Sequence, residues 1–99
     1  MNSDGLFITV NHINDYGGVT RFRVGDELLL KKDLNNPYDD EAIAVYSLPK
    51  EIKCGFVANS VCSVARGTCS AGRLYEKIGL DSRCVIRFIT EDLLICEIM

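Results

Sequence analysis

DLNNPYDDEAIAVY, residues 33–46, places two asparagines, a proline, a tyrosine and four acidic residues directly before an alternating apolar run. Pro37 cannot donate a hydrogen bond to a sheet and restricts Asn36 to extended conformations, so residues 33–41 are predicted to form a loop. The next residues, AIAVYSL at 42–48, have the composition of a strand. This concentration of polar and acidic side chains directly before a strand predicts a loop that binds a ligand. The residues of the loop do not by themselves identify that ligand.

Short strands and turns are predicted on both sides of this loop. Gly55, inside one of the apolar runs, predicts a β-bulge or a close backbone approach. Two segments, 59–67 and 70–80, are predicted to contain short helices that end at Gly67 and Gly79. The remaining predicted strands are LFITVNHI at 6–13, ELLLKK at 27–32, CGFVAN at 54–59, and a hairpin of RCVIRFIT at 83–90 with LLICEIM at 93–99. Six short strands with one or two short helices predict a mostly β fold, a small antiparallel β-barrel formed as one domain by residues 1–99.

Composition excludes several classes of protein. The chain is 47% hydrophobic and 25% charged, as is typical of a globular domain. The N-terminal residues MNSDG lack the basic and apolar regions of a signal peptide, and no apolar run is as long as a membrane span. A cytoplasmic protein that does not bind membranes is therefore expected.

The cysteines and acidic residues predict neither a cofactor, a metal site nor catalysis. The five cysteines, an odd number, contain no C-x-x-C pair, and the only histidine, His12, is distant from all of them in sequence. Cys84 and Cys96 alternate with apolar neighbours, which is typical of core residues in a reducing compartment. The acidic run 39–41 lacks the spacing of a calcium loop, and turn chemistry is its default interpretation.

The charge distribution leaves two interpretations open. The net charge is −3, yet residues 50–87 contain seven basic and three acidic side chains, a net charge of +4. Within this region RGTCSAGR, 66–73, has the glycine spacing of a phosphate loop but lacks its Lys and Ser/Thr. Backbone amides flanked by Arg66 and Arg73 could hold a phosphate, or the segment could be a helix end followed by a turn. Likewise, Tyr16, Tyr38 and Tyr75 near predicted turns either stack on bases or cover the ends of the barrel.

Taken together, VGDELLLKKDLNNPYDDEAIAVY at 24–46 and CGFVANS at 54–60 resemble the HIRAN domain family. The resemblance lies in an apolar strand, the Asn36-Pro37-Tyr38-Asp39 motif, an Ala-Ile strand and the Gly55-Phe56-Val57 step, and it covers roughly residues 6–66. The segment 57–75 resembles a subgroup of short, free-standing bacterial members. The resemblance implies an OB-like or SH3-like barrel that binds single-stranded DNA with a free 3′-hydroxyl, in a repair or fork-processing context.

The resemblance also implies roles for individual residues. Asp39 would accept the hydrogen bond of the 3′-hydroxyl, Tyr38 would contact the terminal bases, and Asn36 would shape the loop. Tyr16 is the candidate for a second stacking aromatic. The phosphate-facing basic residues of the family fall near Phe56 and Asn59, which are neutral here. The predicted nucleic-acid contacts are Tyr16, Lys32, Asn36, Tyr38, Asp39, Asn59, Arg66 and Arg73.

Two alternatives stand beside DNA binding. The barrel could be an adaptor that docks a protein partner, which the sequence leaves unknown, and has no nucleic-acid role. A hydrolase or metal-dependent enzyme that uses Asp39, Asp40 and Glu41 is the third hypothesis.

Overall fold

The computed structural model of the chain describes residues 5–39, 41–59 and 64–99. Alternating apolar and polar residues form its strands, because successive side chains of a strand point to opposite faces. A short 3-10 helix, Ile13–Tyr16, follows the first strand. The strands are β1 (Phe7–Asn11), β2 (Glu27–Lys32), β3 (Ile43–Ser47), β4 (Ile52–Val57), β5 (Asp81–Ile89) and β6 (Leu94–Ile98), and the helix α1 is Ala71–Tyr75.

The six strands close into a barrel in the order β1-β4-β3-β2-β5-β6, with β6 paired to β1. All neighbouring strands of the barrel are antiparallel. Closure leaves the barrel without an open sheet edge, which would otherwise be a site of aggregation. The predicted six-stranded antiparallel barrel is confirmed, and β5 and β6 form the predicted hairpin.

The inner face of every strand supplies the core. Ile8, Leu30, Ile43 and Ile86 are fully buried, and each such side chain contributes about 1.5–3 kcal/mol through burial. The four described cysteines, Cys54, Cys69, Cys84 and Cys96, are buried free thiols.

Two of the buried thiols, those of Cys54 and Cys84, have raised pKa values. Burial raises the pKa of the Cys54 thiol to about 11. A hydrogen bond with Cys96, together with burial, raises the pKa of Cys84. Thiolate formation at neutral pH is therefore suppressed at Cys54 and Cys84, as expected for core residues.

Gly55 lies at both features that were predicted for it as alternatives, a β-bulge and a close backbone approach. The register between β3 and β4 shifts beside Val45, so β4 carries a bulge there. A Cβ at Gly55 would lie 2.5 Å from the backbone oxygen of Asn11. Only glycine lets β1 approach β4 this closely, and this approach brings the ends of both strands together.

Of the two predicted helices, the second forms over a shorter span, and the described part of the first is not helical. Helix α1 begins after Ser70, whose hydroxyl accepts a hydrogen bond from the backbone N–H of Arg73, and it ends at Tyr75 rather than at Gly79. The helix predicted over 59–67 includes residues 60–63, which lie outside the described residues. Its described part is wrong, because Ala65 and Thr68 close a turn in which Gly67 has a φ of 89°. No helix in the described ranges is both long and apolar enough to cross a bilayer.

Candidate nucleic-acid interface

A cavity of about 300 Å³, here called the end cavity, opens where β3 begins and β4 ends. The loop before β3 lines one side of it and the chain after β1 and β4 lines the other. The side chains that matter for its chemistry are Asn36, Tyr38, Asp39, His12, Phe56 and Asn59. Four of the eight predicted contacts, Asn36, Tyr38, Asp39 and Asn59, therefore meet at one cavity.

The Asn36-Pro37-Tyr38-Asp39 loop is organised by its own side chains. The Asn36 Oδ1 atom accepts hydrogen bonds from the backbone N–H groups of Tyr38 at 2.8 Å and Asp39 at 3.0 Å. In turn, Asp39 Oδ1 accepts one from the N–H of Glu41 at 2.9 Å. These are the local turns that Asn and Asp favour. The predicted role of Asn36 in shaping the loop agrees with this geometry.

The carboxylate of Asp39 has one oxygen left for a ligand. Its side chain is half-buried, and among the described residues no hydrogen bond engages Oδ2. An ionised carboxylate accepts hydrogen bonds and donates none. The end cavity is therefore lined by a carboxylate acceptor. The hydrogen bond that Asp39 Oδ1 accepts from the N–H of Glu41 holds this carboxylate in place.

Tyr38 stands beside this acceptor and is 95% exposed. A large aromatic side chain held so far out by the turn after Pro37 contributes almost nothing to the core. Exposed aromatic faces at a cavity are suited to stacking against a base, and such stacking tolerates any base because each has a π-face.

The end cavity is also lined by two aromatic rings that sequence reasoning did not predict as contacts, those of Phe56 and His12. Phe56 lies with its ring centroid 6.3 Å from that of His12 and 6.4 Å from that of Tyr16. These three residues are called the aromatic platform below. Tyr16, a predicted contact, therefore lies beside Phe56 but is not among the residues that line the end cavity. His12 has the unusual φ of 62°, which turns the chain directly after β1.

A cation, Lys53, lies beside the aromatic platform. The residues near which the family has phosphate-facing basic side chains, Phe56 and Asn59, are neutral in this sequence. The ammonium of Lys53 lies 5.0 Å from the ring centroid of Phe56. The bulge of β4 inserts one extra buried residue between them, so Lys53 and Phe56 face the same side. The β-bulge predicted at Gly55 was the sequence signal that could have indicated that Lys53 and Phe56 face the same side of β4.

The remaining predicted contacts lie outside the end cavity. Arg66 and Arg73 line a second cavity, of about 340 Å³, which shares Asn59 with the first. There the Oδ1 atom of Asn59 accepts a hydrogen bond from the N–H of Gly72 at 2.7 Å. The ammonium of Lys32 instead lies 4.4 Å from the ring centroid of Tyr75. Tyr75 packs against the core, which agrees with its alternative interpretation as a cover of the barrel.

The acidic run does not form a cluster of ligands in the described chain. Asp39 and Glu41 are joined through a backbone hydrogen bond, and Asp40 lies outside the described residues. Within the ranges that the structure describes, no three His, Cys, Asp or Glu side chains are grouped to hold a metal ion.

The fold that carries this cavity is a closed six-stranded antiparallel barrel with a polar loop before its third strand. The crystal structure of the HIRAN domain of human HLTF is similar to this chain, with a TM-score of 0.69 and 22% sequence identity. The match covers 95% of this chain and 72% of that chain. No family model and no curated protein matches the sequence. This structural similarity establishes the fold.

Proposed function

We propose that this protein binds nucleic acid, and that its ligand is single-stranded DNA whose free 3′-hydroxyl enters the end cavity. The observation that supports this most directly is the pairing of Asp39 with Tyr38 at one cavity. A fixed acceptor and an exposed ring next to each other suit a terminal nucleotide, which offers a hydroxyl donor and a flat base.

Discrimination for the free hydroxyl follows from the chemistry of a carboxylate. A 3′-hydroxyl donates a hydrogen bond to Asp39 Oδ2, whereas a 3′-phosphate or an internal phosphodiester has no donor there and brings negative charge. The lost charge-assisted bond and the unpaired half-buried carboxylate together cost about 2–4 kcal/mol, or roughly 30- to 1,000-fold in affinity. Rejection of the wrong ligand thus comes from a missing bond and from repulsion.

Stacking supplies affinity without sequence preference. Tyr38, Phe56 and His12 all line the end cavity, so that a base held there would lie close to several rings. Each stacked base contributes about 1–3 kcal/mol. Lys53, beside Phe56, adds a positive charge at the aromatic platform. The function proposed is binding, with no reaction at the cavity.

A comparison of three chemically related ligands tests the proposal. Short thymidine oligonucleotides that end in a 3′-hydroxyl, a 3′-hydrogen or a 3′-phosphate are titrated at low salt by fluorescence anisotropy. We expect the hydroxyl to bind best, the 3′-hydrogen to lose the donor only, and the phosphate to bind worst because repulsion is added. Equal affinities for all three would refute end recognition. Absence of any binding would favour the adaptor hypothesis and direct the search to protein partners.

A further inference from the structure

We infer that the strand leaves the end cavity past Asn59 and runs over a basic track formed by Arg66, Arg73 and Lys77, so that the 3′ terminus lies at Asp39 and the chain extends in the 5′ direction toward Lys77. This inference rests on the function proposed above. It adds a direction, a path and a third cation that sequence reasoning did not single out.

Three cavities in series make the path continuous. The end cavity shares Asn59 with the 340 Å³ cavity beside Arg66. That cavity shares Thr68 and Arg73 with a third, of about 200 Å³, which Lys77 also lines. The three cavities therefore adjoin one another in series through shared lining residues.

Cations predominate along this path. Among the described residues that line the second and third cavities, the charged side chains are Arg66, Arg73 and Lys77. The carboxylates of Glu41, beside Gly72 and Asn59, and of Glu97, beside Gly5, flank the path at its two ends. By contrast, the 520 Å³ cavity at the opposite end of β3 combines Arg83 with Glu27. The ion pairs of the described side chains are His12–Asp15, Lys31–Glu51, Arg83–Glu27 and Arg87–Glu97. None of the track residues takes part in these pairs, so within the described ranges no ion pair competes with a phosphate for their charges.

The floor of the track is firmly held by β1. The hydroxyl of Thr9 lies 2.8 Å from that of Thr68 and also accepts the N–H of Ala65 at 3.0 Å. One residue further on, the N–H of Cys69 donates to the carbonyl of Phe7 at 2.7 Å. Thr9 is fully buried, so this turn is fastened to the barrel rather than free in solvent.

The surface of the turn is open where a phosphate would approach. Apart from its two chain neighbours, no atom of the described residues would lie within 4 Å of a Cβ placed on Gly67. The bare backbone at this point leaves room beside the two arginines. Guanidinium groups bind phosphate oxygens with two parallel hydrogen bonds, and Lys77 adds a point charge farther along. The ligand recognised by the track is therefore the phosphodiester backbone, over a footprint of about four to six nucleotides together with the end cavity.

A length series separates the track from the end cavity. Oligothymidines of two, four and eight nucleotides with free 3′-hydroxyls are titrated against the protein and the triple variant R66A/R73A/K77A. The control variant K50A/R83A removes exposed cations away from the track. We expect affinity to rise with length in the wild-type protein and in the control, and to stay nearly constant in the triple variant. For the octamer, the slope of log K against log salt should fall by about 2 in the triple variant, near 0.7 for each lost contact.

Direction is tested with neutral linkages. Methylphosphonates placed three to five linkages from the 3′ end of a twelve-nucleotide strand should weaken binding, and the same groups at the 5′ end should not. An unchanged length dependence and salt slope in the triple variant would overturn the track, while a 3′-hydroxyl preference of the dinucleotide would leave the end cavity standing. Loss of that preference in the wild-type protein would instead overturn the end cavity and, with it, the assigned direction. Thermal unfolding of each variant establishes that it is folded.

Discussion

The substitution Asp39→Asn changes the proposed acceptor while leaving the loop in place. The amide oxygen of asparagine can still accept the N–H of Glu41, now bonded at 2.9 Å to Asp39 Oδ1. The Asn36 bonds that shape the loop do not involve this side chain. At the Oδ2 position, however, an NH₂ donor replaces a charged acceptor. The ligand contact is altered, and the loop that presents it is not.

The size of the effect follows from that single contact. A hydrogen bond to a charged group contributes about 1.5–3 kcal/mol, so the D39N variant should bind a 3′-hydroxyl oligonucleotide about 10- to 150-fold more weakly. A 3′-phosphate oligonucleotide should bind the variant more tightly than the wild-type protein, because repulsion by the carboxylate is gone. The preference for the hydroxyl should therefore collapse or reverse.

Anisotropy titrations with both ligands measure this change directly. The matched control is Glu27→Gln, which removes one negative charge at the opposite end of the barrel, where Glu27 is 46% exposed. The control should retain the hydroxyl preference. If D39N kept the preference, or if E27Q abolished it equally, recognition by Asp39 would be refuted and a general charge effect would remain.

Four further predictions concern Tyr38, Gly55, the buried thiols and the dependence of stability on pH. Tyr38→Ala should weaken oligonucleotide binding about 5- to 150-fold, from the loss of about 1–3 kcal/mol of stacking, and should leave the melting temperature unchanged because the ring is exposed. Gly55→Ala should lower the free energy of unfolding by about 1–3 kcal/mol in urea titrations, because its Cβ would overlap a backbone oxygen of β1, whereas Gly79→Ala, with its nearest atom at 4.0 Å, should not. In a C62S background, Ellman's reagent at pH 8 should label no thiol of the native protein rapidly and four thiols after unfolding, and rapid native labelling would contradict the buried core. The folded pKa of Cys54, about 11, exceeds its unfolded value of about 9, so its contribution to stability should be complete below pH 9 and be lost as pH rises through 11, as urea titrations at several pH values would measure.

Local patterns in the sequence were sufficient for the strands and for the loop before β3. Period-two alternation reports which face of a strand is buried, so β1, β2, β3 and the β5–β6 hairpin could be predicted to within a few residues. Pro37 and the flanking asparagine and aspartate identify the loop, because their effects act on their immediate neighbours. Gly55 predicted a close approach for the same reason, although the sequence could not say which strand approaches.

Contacts between distant segments were beyond such patterns. Phe56 and His12 gave no sign that they would join Tyr16 in the aromatic platform, since this depends on the pairing of β1 with β4. Lys53 reaches Phe56 only because a bulge shifts the register of β4. The predicted helix end at Gly67 is a turn in the described chain, because hydrogen bonds to Thr9 on β1 hold it there.

By itself, then, the sequence determined the β class, the order of the strands along the chain and a polar loop that carries Asp39 and Tyr38. The tertiary structure alone decided that this loop faces Phe56 and Asn59 across a cavity, and that Lys32 turns toward Tyr75 instead. The physical reason is range. Backbone preferences and side-chain alternation act between neighbours in sequence, whereas the meeting of groups some twenty residues apart is set by barrel closure and strand register.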